Sequence, residues 1–328
     1  MSENLLKIKN LNIKYTADKL VSRAVNGIDL TIDKGEVLGL VGETGAGKTS
    51  TALAVLGLLP KYTAKVDGEI IFDNEDLVKA KEKRLRNIRG KRISMIFQDP
   101  MTSLNPVFRV GDQIADVIKF HNTKMSQIDV NAQVDEILKM VGIPSSRKGE
   151  YPHQFSGGMK QRVMIAIAIA CNPDLLIADE PTTALDVTIQ AQVIKMMRRL
   201  QKDLGSSVLM ITHDLGIVAN FCDKVAIMYG GEIVESGTLE DIFDTEGKHH
   251  PYTQGLFDSL PDITKRTERL VPIKGLTPHP SELPDGCKFH PRCNHCTEVC
   301  KSGDNPKQYK KDTHTIQCHL LAEEEAYE

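Results

Sequence analysis

Three groups of residues in this chain have the chemistry to handle a polyphosphate. Gly42-Glu43-Thr44-Gly45-Ala46-Gly47-Lys48-Thr49 is a glycine loop between an apolar run ending at Val41 and a helical pattern from Ser50 to Leu58. Such glycines let backbone N–H groups wrap a phosphate, Lys48 can reach its oxygens, and the Thr49 hydroxyl can ligate Mg²⁺. Phe155-Ser156-Gly157-Gly158-Met159-Lys160-Gln161-Arg162 opens an apolar helix, Val163 to Ala170. It therefore offers a second anion site, the unpaired N–H groups of a helix N-terminus. Asp179 and Glu180 follow Leu175-Leu176-Ile177-Ala178 and belong at the carboxyl end of a buried strand. Asp179 suits the Mg²⁺ side of a phosphoryl-transfer site, and Glu180 can orient or deprotonate an attacking water.

Three further residues stand where strands end or begin. His213 closes the run Val208 to Thr212 and precedes Asp214, a helix N-cap by type, so its imidazole can contact a γ-phosphate. Gln98 ends Ile93-Ser94-Met95-Ile96-Phe97, where a neutral amide can touch Mg²⁺ or water and swing away with the following loop. Tyr15 lies upstream of the glycine loop; its ring can stack on adenine or fill a half-buried core position, and spacing does not choose between them.

The elements that must position these groups follow from the apolar patterns. From about residue 5 to 245, β-branched runs such as Val37 to Val41 alternate with longer helical patterns, which predicts a mostly parallel sheet covered on both faces. Leu6 to Ile32 alternates like an antiparallel strand pair. Val110 to Phe120 and Val130 to Val141 carry helical spacing, which predicts a helical insertion over about 100–165. From His249 the chain changes: Pro251, Pro261, Pro272, Pro278, Pro280, Pro284 and Pro291 interrupt regular structure, and an acidic end, Glu323 to Glu328, is expected to fray.

Bulk properties exclude several classes. The 328 residues are 41% hydrophobic and 26% charged with net charge −3, which argues against a nucleic-acid binder working by bulk charge. The longest apolar run, Val163 to Cys171, stops at Asn172-Pro173, too short to span a bilayer. Met1-Ser2-Glu3-Asn4 shows no secretory leader pattern, so a soluble, cytosolic chain is expected, with any membrane role passing through partners.

Seven cysteines are unevenly spread. Cys171 and Cys222 are expected as buried thiols. Cys287, Cys293, Cys296, Cys300 and Cys318 crowd the end of the chain, and in a reducing compartment such a cluster points to metal. Four thiolates can hold a [4Fe–4S] cluster or zinc; His290, His295, His314 and His319 leave a mixed Cys/His zinc site open, and unmetallated thiols or disulfides are the remaining reading. A metal there would staple a Pro-rich segment with little core of its own, so substituting Cys293 is expected to loosen that segment while nucleotide binding persists.

In this order, the motifs resemble an ATP-binding subunit of an ATP-binding-cassette (ABC) transporter. Gly42–Thr49 resembles the family's Walker A motif, Gln98 the Q-loop, Ser156-Gly157-Gly158 the signature motif and Leu175–Glu180 the Walker B motif. Ala184-Leu185-Asp186 resembles the D-loop and His213 the switch histidine. The signature departs from its commonest form at Phe155 (for leucine) and Met159 (for glutamine), leaving the Ser-Gly-Gly surface intact. The resemblance implies an α/β P-loop NTPase cassette with a mostly parallel sheet core, an antiparallel β subdomain and an inserted α-helical subdomain. It implies that Tyr15, Gly42 through Thr49, Ser50, Asp179 and Asp186 bind ATP, that Thr49, Gln98 and Asp179 hold Mg²⁺, and that Glu180, His213 and Gln98 catalyse hydrolysis. It further implies that Ser156, Gly157 and Gly158 complete a partner cassette's ATP site rather than this chain's own.

Gln98 to Pro106, Tyr151-Pro152-His153-Gln154, Ala184 to Gln190, His250-Pro251-Tyr252-Thr253 and Gly286 to Cys293 resemble the dipeptide/oligopeptide (and nickel) importer branch. That resemblance implies a cassette over residues 1–248 and a metal-stapled C-terminal extension over 249–328. It implies Cys287, Cys293, Cys300 and Cys318 as metal ligands, with Cys296 spare or an alternative. It also implies a second ATPase subunit (usually a distinct one in this branch, giving a heterodimer, with a homodimer left open), two transmembrane permease subunits, an extracellular peptide-binding protein, and a place on the cytoplasmic face of the cell membrane. Dipeptides, longer peptides and nickel chelates stay open as cargo. A soluble ABC-type ATPase acting on nucleic acid or ribosomes fits less well, since the chain has one cassette, no coiled-coil insertion and no basic patch. Intact Glu180 and His213 argue against a binding module without turnover.

Overall fold

The structure, a computed structural model, describes residues 3–17, 20–98, 103–183, 185–260 and 272–324. Residues 99–102 after Gln98, Ala184, Pro261 and residues 325–328 of the acidic end lie outside the described residues. In chain order the elements are β1 (Asn4–Ala17), β2 (Leu20–Asp33), β3 (Val37–Val41), α1 (Lys48–Val55), β4 (Ala64–Phe72), β5 (Glu75–Asp76), α2 (Glu82–Ile88) and β6 (Ile93–Ile96). The helices α3 (Val110–His121), α4 (Gln127–Met140) and α5 (Gly157–Ile169) come next. They precede β7 (Leu175–Asp179), α6 (Val187–Leu204), β8 (Ser207–Thr212), α7 (Leu215–Phe221), β9 (Lys224–Tyr229) and β10 (Glu232–Thr238). The chain then forms α8 (Leu239–Phe243), α9 (Pro251–Asp258), β11 (Gln308–Lys311), β12 (His314–Gln317) and α10 (His319–Glu324).

Contacts divide the chain into two compact units. The first takes Thr31–Leu38 and Ile71–Thr212 with the start of the chain. Its sheet pairs β6, β7 and β8 in parallel, with Ile93 opposite Leu175 and Leu175 opposite Ser207. Every residue of β7 and β8 is buried, the condition under which a strand is apolar without alternation. In α3 the buried Val110, Ile114 and Ile118, and in α4 Val130, Val134 and Ile137, recur every three or four positions, one face per helix. α5 buries residues nearly all round and is the central helix of this group. The side chains of Ser126, Ser156 and Asp186 each accept a backbone N–H three residues on, which starts α4, α5 and α6 where Ser and Asp favour a cap.

The second unit takes Lys7–Leu30, Gly39–Ile70 and the chain from His213 onward. Here β2, β1 and β4 are hydrogen-bonded in that order, the strand pair expected of the first thirty residues. β9 and β10 pair antiparallel, β10 pairs β12, and β12 pairs β11 in a hairpin turning at Asp312 (φ 50°). The expectation of a C-terminal segment with few core-forming residues therefore needs correction. β11 and β12 extend a sheet through β10, and Phe289 and Ile316 are buried core residues. Cys222 is buried as expected, whereas Cys171 is half-buried. Among the described residues no helix is long and apolar enough to cross a membrane.

Glu232, the first residue of β10, is buried with Lys288 Nζ 4.0 Å away. Burial raises its carboxyl from the ordinary 4.5 to about 7. The folded state therefore holds this proton over a pH range in which the unfolded chain has released it. Stability falls as pH rises from about 4.5 to about 7, by up to about 3 kcal/mol. Lys288 keeps the carbonyls of Pro284 and Gly286 as acceptors without Glu232. We predict that Glu232→Gln is close to wild type below pH 4.5 and increasingly more stable up to pH 7. Thermal unfolding of both proteins across that range checks this.

Candidate nucleotide site

In the second unit, β3 delivers the chain to Gly42, whose α-carbon lies so close to the Met228 carbonyl that a Cβ would collide with it. Gly45 and Gly47 take φ of 85° and 107°, the left-handed region open to glycine, so the loop turns its N–H groups inward. Lys48 is buried, and its Nζ donates to the carbonyls of Gly42 at 2.6 Å and Glu43 at 3.0 Å. The loop is thus closed on itself around an ammonium group. Thr44, Gly45 and Thr49 are exposed, and Ser50 is half-buried. Half-buried Tyr15 donates from its hydroxyl to Ser50 Oγ at 3.1 Å, which tethers the ring beside the start of α1.

The Glu43 side chain is gripped by groups that sequence reasoning left unassigned. Arg292 donates from Nη1 to Oε2 at 2.7 Å and from Nη2 to Oε1 at 3.1 Å, and Thr277 donates to Oε2. The Glu43 backbone N–H donates to Tyr252 Oη at 3.0 Å. Although burial opposes its charge, the bonds from Arg292 and Thr277 hold the Glu43 carboxyl below its ordinary range. Tyr229, Tyr252 and Phe289 pack edge-on or tilted with ring centroids 4.6–5.4 Å apart. The phosphate loop is therefore fastened to the segment that carries the cysteines. Its one advance sign was the run Gly286 to Cys293; a buried arginine declares itself only when its carboxylate is found.

In the first unit, Asp179 ends β7 and is buried. Glu180 follows with φ 46°, a left-handed conformation that costs a non-glycine residue about 1 kcal/mol. Its N–H donates to the Ile211 carbonyl at 2.9 Å, which fixes the turn. Gln98 Nε2 and Thr183 Oγ1 donate to its Oε2 at 2.9 and 3.0 Å. One carboxylate oxygen is thereby oriented by two donors, and Gln98 is coupled directly to Glu180.

The Ser156-Gly157-Gly158 turn is exposed at the start of α5, on the same unit as Asp186. A Cβ on Gly158 would lie 2.6 Å from Ile189 Cγ2, so glycine there permits the close approach of α6. The departures at Phe155 and Met159 have a shared cause. The Arg147 guanidinium lies 4.4 Å from the Phe155 ring centroid and donates to Met159 Sδ at 3.1 Å. A ring and a soft sulfur thus form a seat for the arginine, which Glu150 pairs from the other side at 2.6 Å. In the second unit, His213 follows β8 with its side chain exposed, and Asp214 caps α7 through the N–H groups of Gly216 and Ile217.

Cys287, Cys293, Cys300 and Cys318 lie close enough that Cys287 feels the charge of the other three. Burial pushes Cys287 up to about 12 and Cys293 up to about 11. The His295 backbone N–H donates to the Cys293 sulfur at 3.4 Å. Such an N–H···S bond suits a cluster-ligating thiolate. The Cys296 thiol instead contacts the Thr297 carbonyl at 3.5 Å.

The profile of the ABC transporter family matches residues 25–183, and that of the oligopeptide/dipeptide transporter C-terminal region matches residues 234–300. The chain is 46% identical to the dipeptide transport ATP-binding protein DppD of Bacillus subtilis (strain 168), covering 97% of this chain and 95% of that one. It is also 46% identical to the oligopeptide transport ATP-binding protein AppD of the same organism, covering 98% of each. Among solved structures, the dimeric post-hydrolysis state of the ATP-binding cassette MJ0796, bound to ADP and Pi, superposes with TM-score 0.64 at 29% identity, over 71% of this chain and 98% of that one. The cbiO1 protein from Clostridium perfringens, part of the transporter complex cbiONQ, gives TM-score 0.64 at 31% identity, over 74% and 92%.

Removing Arg292 leaves a half-buried carboxylate in the phosphate loop without its charged partner. We predict that Arg292→Ala weakens ATP binding about tenfold, the scale of one charge-assisted hydrogen bond. Arg292→Lys should recover part of that loss, and Arg292→Ala added to Glu43→Gln should cost far less than in the wild type. Equilibrium binding of a fluorescent ATP analogue to wild type, the two Arg292 variants, Glu43→Gln and the double variant checks the coupling.

Proposed function

Because the chain belongs to the ABC transporter family, in its dipeptide and oligopeptide transport ATP-binding branch, we propose that it is the ATP-hydrolysing subunit of a di- or oligopeptide importer. The observation that carries this reading is the Glu180 carboxylate, held in a strained turn at a strand end with Gln98 donating to it. In this reading, Gly42 through Ser50 bind the phosphates of ATP, and Lys48 turns from loop carbonyls to phosphate oxygens. Tyr15 faces the adenine. Thr49, Gln98 and Asp179 hold Mg²⁺, which when bound neutralises charge developing on the phosphates. Glu180 accepts the proton of the attacking water through the carboxylate that Gln98 and Thr183 orient, and His213 contacts the γ-phosphate.

The Ser156-Gly158 turn and Asp186 act on a second cassette's nucleotide. The exposure of Ser156, Gly157 and Asp186, and the dimeric state of the MJ0796 cassette, support that assignment. The partner cassette is a related, distinct subunit. Two permease subunits and an extracellular peptide-binding protein complete the importer, and this chain works at the cytoplasmic face of the membrane. Loss of the Gln98–Glu180 bond when the loop after Gln98 moves would link hydrolysis to the permease.

The proposed division is a cassette over residues 1–248, with a helical subdomain at about 100–165, and an extension over 249–328. Cys287, Cys293, Cys300 and Cys318 hold a [4Fe–4S] cluster in that extension. Among the described residues, the metal-ligand group whose atoms lie within 4.8 Å of one another contains no cysteine. Tetrahedral zinc, with Zn–S of about 2.3 Å, would draw its sulfurs to within about 4 Å. The cluster's contribution is structural, but the Arg292–Glu43 bond ties its surroundings to the phosphate loop. Cys293→Ser should therefore weaken ATP binding as well as loosen the extension, in contrast to the independence expected from sequence.

Glu180→Gln should bind ATP with near wild-type affinity, lose at least about 99% of turnover and accumulate as an ATP-bound dimer of cassettes. Size-exclusion chromatography and phosphate release measure both. Uptake of a labelled dipeptide by cells lacking the chain should return with the wild-type protein and not with Glu180→Gln. Restoration of nickel-chelate uptake in place of peptide uptake would overturn the proposed cargo.

A further inference from the structure

A second cluster of metal-ligating side chains lies outside the nucleotide site and the cysteines, within the second unit. Glu235 on β10, His249 before α9 and His314 on β12 bring their ligand atoms within 4.8 Å of one another. The three residues come from separate elements, and two of those belong to the C-terminal extension. A bulge between Ile233 and Glu235 interrupts the β9–β10 ladder, so Val234 and Glu235 are both buried where strict alternation would expose one. The bulge thus turns a carboxylate into the interior.

The carboxylate is fully engaged. Glu235 Oε2 accepts the His250 backbone N–H at 2.8 Å. Its Oε1 faces both imidazoles, with His249 Nδ1 at 2.7 Å and His314 Nε2 at 2.8 Å. The other ring nitrogen of His249, Nε2, lies 2.6 Å from the Asp244 carbonyl. Both nitrogens of His249 therefore face acceptors. A neutral imidazole has one N–H and cannot serve both. Either the ring carries a proton on each nitrogen, or a cation takes the place of the proton between Nδ1 and the carboxylate. Metal-bound histidines characteristically donate their second nitrogen to a backbone carbonyl, as His249 does to Asp244. Beside the carboxylate, Thr253 Oγ1 is buried without a hydrogen bond of good geometry.

We propose that Glu235, His249 and His314 form a binding site for a divalent transition-metal ion of the zinc type, which pins the β11–β12 hairpin and the start of α9 to β10. Two imidazoles and one carboxylate are the donor set of many zinc sites that keep one position open. A ligand distance of about 2.0–2.2 Å requires the three donor atoms to move apart by about half an ångström. His249 and His314 can do this by small side-chain rotations, since neither lies inside a helix. The ion would act on the nucleotide site through three residues of chain, because His249 is followed by His250, Pro251 and Tyr252, and Tyr252 Oη accepts the Glu43 N–H. This site is separate from the thiols and does not depend on what they hold.

The test is titration of the full-length, anaerobically purified chain with Zn²⁺, followed by X-ray absorption at the zinc edge. The expected result is one ion with nitrogen and oxygen neighbours at about 2.0–2.2 Å and no sulfur neighbour at about 2.3 Å. His249→Asn and His314→Gln place an amide nitrogen where the ring nitrogen stood, so hydrogen bonding to Glu235 survives while a ligand is lost. Each should weaken zinc binding by at least about a hundredfold, beyond what loss of an outer-shell partner costs. A sulfur-containing shell, or binding equal in wild type and His314→Gln, would overturn the proposal. So would zinc binding too weak to detect with His249 carrying two protons, which would make the cluster a proton clamp. If a variant fails to fold, the wild-type absorption edge alone decides the question.

Discussion

The phosphate loop is a ring of backbone held at two points, and the rest of the second unit is arranged around that constraint. From inside, Lys48 bonds the Gly42 and Glu43 carbonyls. From outside, Arg292 and Tyr252 fix the Glu43 side chain and N–H. A loop that binds polyphosphate through N–H groups gains most when those groups are already aimed, because the entropy of ordering them is then spent in folding rather than in binding. The two clasps differ in kind. The Lys48 clasp opens when a phosphate competes for the ammonium, whereas the Arg292 clasp has no competitor in the loop. Nucleotide binding can therefore replace the first and leave the second standing.

The first unit uses a different device. Strand β7 ends in a carboxylate, Asp179, and the chain turns sharply at Glu180 with φ 46°. Strain of this kind persists only where surrounding bonds over-determine the conformation. Here the Ile211 carbonyl fixes the backbone, and Gln98 and Thr183 fix the side chain. Substitution at Gln98 or Thr183 would reorient Glu180 without touching β7, so position and fold can be separated by mutation.

Much of this was legible in the sequence, for physical reasons that also mark its limit. β3, β7 and β8 announce themselves because a strand covered on both faces must be apolar throughout. The glycine loop is legible because its left-handed turns at Gly45 and Gly47 need glycine. Ser156, Asp186 and Asp214 are legible as caps because short polar side chains satisfy orphan N–H groups. Arg292 was not legible: its meaning lies in a partner 249 positions away. β11 and β12 were missed because four-residue polar strands carry too few periods to stand out. Glu235 escaped notice because a bulge, invisible in composition, turned it inward.

Those omissions share a location, and that says something about the C-terminal extension. An edge strand with open N–H and C=O groups invites pairing with other chains, and β12 removes that liability by pairing β10 at Glu235 and Ser236. The extension also supplies Phe289 to an aromatic cluster with Tyr229 and Tyr252, and Arg292 to the phosphate loop. A segment joined by a sheet edge, a ring cluster and a half-buried ion pair cannot be loosened at one joint without strain reaching the others. Its proline content reflects this mode of attachment. The segment gains order from the surface it lies on, so it needs few helices or strands of its own. Sequence composition, which measures only the capacity for internal order, therefore underrates how firmly the extension is held.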